Sequence, residues 1–242
     1  MDWTYRLTQW LWTGLDWLYP PVCGGCGQPG YRWCPDCQKQ VTPVPDPVCQ
    51  TCGQPQEKPG ICHACEQEPP PFSQLRSWAV FEGPIRSALH SLKYGRNVVL
   101  GDVFSRLMSA FISSLGWQVD TVVAVPLGRK RMQERGYNQV ALVARPLAAL
   151  SGYDYYPGAL VRVRDTRSQV GLNPRERREN VRDAFASNPR LVSDRIILLM
   201  DDVATTGATL AACSRALLAS GAKSVYALTI ARALPRHGLQ IV

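Results

Sequence analysis

The stretch Ile196-Ile-Leu-Leu-Met-Asp201-Asp202-Val-Ala204-Thr205-Thr206-Gly207-Ala208-Thr209-Leu210 decides the fold. Ile196–Met200 reads as a buried strand that ends in two acidic residues. A short Thr/Gly loop follows, then a helical pattern over Ala208–Ser220. The start of such a helix offers unpaired N–H groups and the positive end of its dipole, which suit a phosphate. Gly207 lets the backbone approach the anion, and Thr205, Thr206 and Thr209 supply hydroxyl donors. Two carboxylates beside a phosphate make sense if they accept hydrogen bonds from sugar hydroxyls or ligate Mg²⁺. The expected ligand is a ribose phosphate.

Two competing readings are weaker. A Walker B strand also ends in acids, but its partner motif requires Gly-Lys, a dipeptide this chain lacks. A plain helix cap would need neither the second Asp nor three threonines.

Outward from this motif, apolar runs alternate with helical patterns. Strands are expected at Trp78–Phe81, Thr121–Val125, Ala159–Val163 and Val225–Ile230, and helices near Ile85–Leu92, Gly101–Leu115 and Gln139–Leu150. Alternation of this kind predicts an α/β fold, a mostly parallel sheet flanked by helices. Ligands in such sheets bind beyond the carboxyl ends of the strands.

The chain has 242 residues, 45% of them hydrophobic and 19% charged, a balance that excludes disorder. Of its nine cysteines, eight lie between Cys23 and Cys65 in four Cys-x-x-Cys pairs: Cys23/Cys26, Cys34/Cys37, Cys49/Cys52 and Cys62/Cys65. That spacing brings two thiolates to one tetrahedral ion. Cys23-Gly-Gly-Cys-Gly-Gln-Pro recurs as Cys49-Gln-Thr-Cys-Gly-Gln-Pro, so two sequential zinc ribbons are the simplest assignment, with interleaved ligation the alternative. A redox dithiol normally sits at a βα junction, and none is visible here. Gly25-Cys-Gly27-Gln-Pro-Gly30 matches a dinucleotide-binding pattern, but no strand precedes it and no helix follows. Cys213, within the helix after the phosphate loop, reads as a small core residue.

Pro69-Pro-Pro71 marks a linker. The expected organisation is an amphipathic helix over 1–22, a double zinc ribbon with its proline-rich linker over 23–71, and a phosphate-binding domain over 72–242. Residues 1–72 carry four basic and seven acidic side chains, net −3; the rest carries 23 and 12, net +11. The anionic partner therefore belongs to the second part. Four tryptophans lie in the first 17 residues, on a helix with few basic residues, so packing against the protein is favoured over a membrane surface. The longest uncharged run there, Leu7 to Leu15, is too short to span a bilayer, and no secretory signal is visible. A cytoplasmic location is expected, where clustered cysteines serve metals rather than disulfides.

The phosphate motif resembles that of type I phosphoribosyltransferases, which bind phosphoribosyl diphosphate (PRPP). Around it stand Pro126…Arg135-Gly-Tyr-Asn-Gln139, Gln169-x-x-Leu172, Arg178-x-Asn180-Val and Ala184-Phe185, with Lys93 in Ser-Leu-Lys-Tyr-Gly. Together with the cysteine pairs, these make the chain similar to the ComF/GntX family of competence-associated, phosphoribosyltransferase-like proteins. The resemblance implies that Asp201 and Asp202 contact the ribose hydroxyls and that Ala204–Thr209, including Ala208, cradle the 5′-phosphate.

Pro126, Leu127 and Gly128 occupy the position of the pyrophosphate loop. Arg129, Lys130, Arg131 and Arg135 are then placed to neutralise the leaving diphosphate with Mg²⁺. Asp201, Asp202, Arg129 and Lys130 form the expected catalytic set for a phosphoribosyl transfer to an acceptor the sequence does not name. Arg162–Arg182, with seven arginines against three acids, resembles the lid of this fold and includes Arg167, Gln169, Arg178 and Asn180. Single-stranded DNA and proteins of a DNA-uptake machinery are the partners implied, with a non-catalytic PRPP sensor as a further reading.

Overall fold

The computed structural model describes residues 21–164, 176, 180–181 and 183–234. The expected N-terminal amphipathic helix lies almost wholly outside these residues, as do Arg167, Gln169 and Arg178 of the expected lid.

The cysteine-rich segment contains two short helices, α1 (Pro35–Lys39) and α2 (His63–Gln67). Next come β1 (Gln74–Val80), α3 (Gly83–Tyr94), α4 (Leu100–Leu115) and β2 (Thr121–Ala124). After them lie α5 (Arg129–Arg135), α6 (Gln139–Ser151), β3 (Asp154–Tyr155) and β4 (Leu160–Arg162). Then come β5 (Phe185–Ser187), α7 (Pro189–Val192), β6 (Ile196–Ala204), α8 (Ala208–Ala219) and β7 (Ser224–Arg232).

Five strands form one sheet in the order β1-β7-β6-β2-β3, every pair parallel. Parallel strands are covered on both faces, which explains their continuous apolar runs. Alternation along β6 shows the two layers. Ile197 and Leu199 join the core beneath α8 and the β4–β5 pair, together with Leu210, Cys213 and Leu217. Leu198 and Met200 join the core beneath α3, α4 and α6, with Leu89, Phe104, Met108 and Val143.

Two expectations need correction. The run Ala159–Val163 does form a strand, but β4 pairs antiparallel with β5 in a separate two-stranded sheet. Three residues of alternating exposure cannot fill a doubly covered sheet position. And β6 does not end before the acids: it continues through Asp201 and Asp202 to Ala204, held by β7.

The cysteine-rich segment packs on the sheet edge. Leu75 N–H donates to Thr51 O at 2.7 Å, and Val80 N–H to Thr42 O at 2.8 Å, so β1 does not present a bare edge. Gly53 has φ +67, and a Cβ there would lie 2.3 Å from the Leu75 carbonyl oxygen; only glycine permits this contact.

Candidate functional site

The cysteines resolve into two sequential quartets, Cys23/Cys26/Cys34/Cys37 and Cys49/Cys52/Cys62/Cys65. The sequence repeat is also a repeat of backbone hydrogen bonds. Cys23 N–H donates to Gln28 O and Cys49 N–H to Gln54 O, both at 2.8 Å; Gly27 N–H donates to Cys23 O and Gly53 N–H to Cys49 O. Sulfur pairs lie 3.6–3.7 Å apart. Four thiolates at about 2.3 Å from one Zn²⁺ stand about 3.8 Å apart, so both quartets fit structural zinc. Backbone N–H groups of Cys34 and Cys62 donate to the sulfurs of Cys23 and Cys49 at 3.3 Å. Burial alone would raise those two thiols, but the backbone donors outweigh it and bring each down to about 6. Interleaved ligation is excluded by the geometry.

The second feature is a cleft of about 960 Å³ beyond the carboxyl ends of β2 and β6. β2 stops pairing at Ala124↔Met200, whereas β7 follows β6 to Ala204. The edge of β6 facing β2 therefore opens at Asp201, and this opening is the floor of the cleft. One wall is Pro126 and Leu127 with Arg131 and Arg135 of α5; the other is α3 with His90, Lys93 and Tyr94. Thr205, Gly207, Ala208 and Thr209 form the end at the start of α8. Gly207 adopts φ +76 as the N-cap of this helix and, having no side chain, leaves the helix start open to the cleft.

Strand alternation separates the two adjacent acids. Asp202 follows Leu198 and Met200 toward α3 and α6. Its Oδ2 is 2.8 Å from Lys93 Nζ and accepts a hydrogen bond from Gln139 Nε2 at 2.8 Å. Gln139 Oε1 in turn accepts from Arg135, whose guanidinium lies 5.2 Å from the centroid of the Tyr94 ring. Asp201 follows Ile197 and Leu199, and its Oδ1 accepts from the Asp202 N–H at 2.8 Å. Burial pushes Asp202 upward, but the charge and hydrogen bond of Lys93 and the amide of Gln139 outweigh it and hold Asp202 below the ordinary carboxylate range. Asp201 has no such partner among the described residues: burial, then the charge of Asp202, raise it to about 7.

That asymmetry has a pH signature. The unfolded chain releases the Asp201 proton near pH 4, the folded chain only near pH 7, so in between the folded state binds more protons. Stability from this group falls as pH rises through that window. Asp201→Asn removes the contribution and is expected to stabilise the ligand-free protein at pH 8, relative to pH 6, by on the order of 1 kcal/mol. Denaturant titrations at the two pH values measure it; identical pH slopes for both proteins would exclude the arrangement.

The structure gathers most of the expected residues. Asp201, Asp202, Ala204, Thr205, Gly207, Ala208, Thr209, Pro126, Leu127, Arg131, Arg135 and Lys93 all line the cleft. Thr206 is exposed beside it, and its Oγ1 accepts from Ala208 N–H at 3.4 Å. Arg129 and Lys130 are not in the lining. The expected basic loop is a helix, α5, which directs its successive side chains around an axis; Lys130 is exposed 4.0 Å from Glu134 instead. The Asn180 carbonyl accepts from Arg164 at 3.2 Å, and neither residue is in the lining. Arg162, at the start of the expected lid stretch, lines the cleft as well, whereas sequence reasoning missed His90, Tyr94 and Arg86 as lining residues. A helical wheel of α3 could have found these three, since residues 86, 90 and 93–94 share a face with Lys93.

Comparison with known proteins gives consistent likenesses. A model of the double zinc ribbon domain matches residues 14–66. The chain is 31% identical over 223 residues to the DNA utilization protein YhgH of Escherichia coli O157:H7, covering 90% of this chain and 92% of that one. It is 27% identical over 207 residues to competence protein F of Haemophilus influenzae, covering 83% and 90%. Competence protein ComFC of Bacillus subtilis is 26% identical over 214 residues, covering 85% and 86%. Among solved structures, glutamine PRPP amidotransferase from B. subtilis, complexed with ADP and GMP, aligns with 58% of this chain and 26% of its own, at 18% identity and TM-score 0.35.

Proposed function

The chain belongs to the ComF family, and from that premise we propose that it is a phosphoribosyltransferase-like protein that binds PRPP with Mg²⁺ in the service of DNA uptake or use. One observation carries this reading. A pair of carboxylates on an opened strand edge, a Thr/Gly turn at a helix start and three cations, Lys93, Arg131 and Arg135, face one cleft. In this reading the start of α8 and Thr205, Thr206 and Thr209 hold the 5′-phosphate. Asp201 and Asp202 accept from the ribose hydroxyls, and Arg131 and Arg135 face the diphosphate. Arg129 and Lys130, outside the cleft, steer anions toward it.

The donor set suits Mg²⁺, a hard cation that keeps several waters and takes one or two carboxylates plus phosphate oxygens. When bound it supplies neutralisation of the departing diphosphate. Transfer would proceed by attack of an acceptor on C1′ while the C1′–O bond to diphosphate breaks, with the protein contributing position and charge.

A Mg²⁺-dependent PRPP titration tests the reading. Asp201→Asn is expected to weaken binding roughly 10- to 100-fold, the equivalent of about 1.4–2.8 kcal/mol for a lost charged acceptor. No binding, or binding indifferent to the substitution, overturns it.

A second reading, binding of single-stranded DNA, is favoured by Tyr94. This ring is 68% exposed at the cleft mouth. Its ring centroid lies 4.8 Å from that of His90 at a tilt of 48°, and it lies under Arg135, in a region of the chain with net charge +11. Adding an oligonucleotide to the same titration discriminates: competition places both on one site, and independence separates them.

A further inference from the structure

Arg232 closes β7 at the cleft end of the sheet and is 2% exposed. Its backbone touches both sides of the cleft. Phe81 N–H donates to Arg232 O at 2.7 Å, and Phe81 begins the approach to α3. Arg232 also pairs with Ala204 in the ladder, and Ala233 N–H donates to Ala204 O at 2.9 Å, immediately before the Thr/Gly turn. Its side chain goes elsewhere. Nη2 donates to Cys52 O inside the second zinc knuckle, and Nη1 to Gln54 Oε1 at 3.0 Å. Among the described residues no carboxylate pairs with this guanidinium, and Nε is buried without a partner.

A buried, unpaired cation is costly. The guanidinium instead lies against Cys52, a member of the second quartet. Four thiolates around one Zn²⁺ carry net charge −2. Arg76 approaches the same knuckle, donating to Gln50 O at 3.0 Å. Gly24 and Gly25 of the first quartet face Leu100 and Pro84. The two sites repeat in sequence but differ in what they touch.

We infer that Arg232 is a positioning residue that links the second zinc centre to the phosphate cleft: the zinc–thiolate dianion offsets its buried charge, and its backbone holds Ala204 and Phe81 in register. Occupancy of the second site, and not of the first, then sets the order of the Thr/Gly turn.

The test needs no ligand. Zinc release to a chelator is followed with a chromophoric indicator, and amide hydrogen exchange is followed over residues 203–210 and 23–37. Arg232→Gln is expected to speed release of the second zinc at least tenfold and raise exchange over 203–210 by a similar factor, with 23–37 unchanged. In a Cys52→Ser background, which keeps only the first zinc, the same substitution leaves release unaltered. Arg232→Lys, retaining the charge, restores slow release in large part, which a purely space-filling role would not predict. Unchanged release and unchanged exchange over 203–210 in folded Arg232→Gln overturn the inference. If that variant does not fold, Gln54→Ala carries the test: about threefold increases in both signals support it, and no change in either overturns it. Failure of PRPP to bind would sink the proposed ligand and leave these measurements standing.

Discussion

Stripping the metal from the intact protein is expected to melt the cysteine-rich segment and lower the midpoint of thermal unfolding by roughly 10 °C. Among the described residues the first quartet has a small cluster of its own, Trp33 packed against Cys23, Cys34 and Cys37. Metal therefore supplies most of the folding energy, about 10–16 kcal/mol per site in isolated zinc-finger peptides. The loss does not stay local. The hydrogen bonds from Leu75 to Thr51 and from Val80 to Thr42 go with the segment, and β1 becomes a bare edge. Metal analysis should give two zinc ions per chain and one in Cys26→Ser. The loss of a few kcal/mol of docking energy corresponds to the stated shift for a chain of this size. Fewer than two zinc ions in the purified protein, or a melting midpoint indifferent to chelation, would contradict the two-site arrangement.

The second large effect concerns Lys93. Lys93→Met is expected to destabilise the protein by about 2–3 kcal/mol, less than a fully buried pair would cost because the Lys93 side chain keeps 21% exposure. The mechanism is an orphaned charge. Asp202, 9% exposed as a side chain, would keep Gln139 as its hydrogen-bond partner among the described side chains. Its carboxyl, now held low, would then rise under the same burial that raises Asp201. Lys93→Met combined with Asp202→Asn removes both charges at nearly constant volume and should recover most of the stability. It should not recover ligand binding, because the cleft has lost one cation and one carboxylate. Thermal melts and PRPP titrations on the three variants separate the roles. Recovery of both properties, or of neither, would show that the pair does not act as described.

Much of this was legible in the sequence because the signals are local. Four Cys-x-x-Cys pairs with a 26-residue repeat specify metal knuckles whatever surrounds them, and the structure repeats their hydrogen bonds at the same offset. The Asp-Asp-Thr/Gly stretch likewise carries its own strand, turn and helix start. Where the reading failed, the missing information was long-range. Arg129–Arg135 looked like a charged loop because its helix has no buried residue and hence no apolar period to reveal it. Ala159–Val163 reads as a strand, but nothing within it says that its partner is Phe185–Ser187 and not the parallel sheet.

The sequence by itself determined the zinc ligands, the alternation of the longer strands and helices and the Thr/Gly turn after the two aspartates, since each rests on residue types at fixed short spacing. Tertiary structure alone decided which cations reach the cleft, why two neighbouring aspartates titrate apart, and that Arg232, 180 residues from Cys52, joins the second ribbon to the end of the sheet. Those outcomes depend on which faces of separate elements meet. Side-chain direction is local knowledge, but the neighbour it meets is fixed only when the sheet closes its order and its two layers pack.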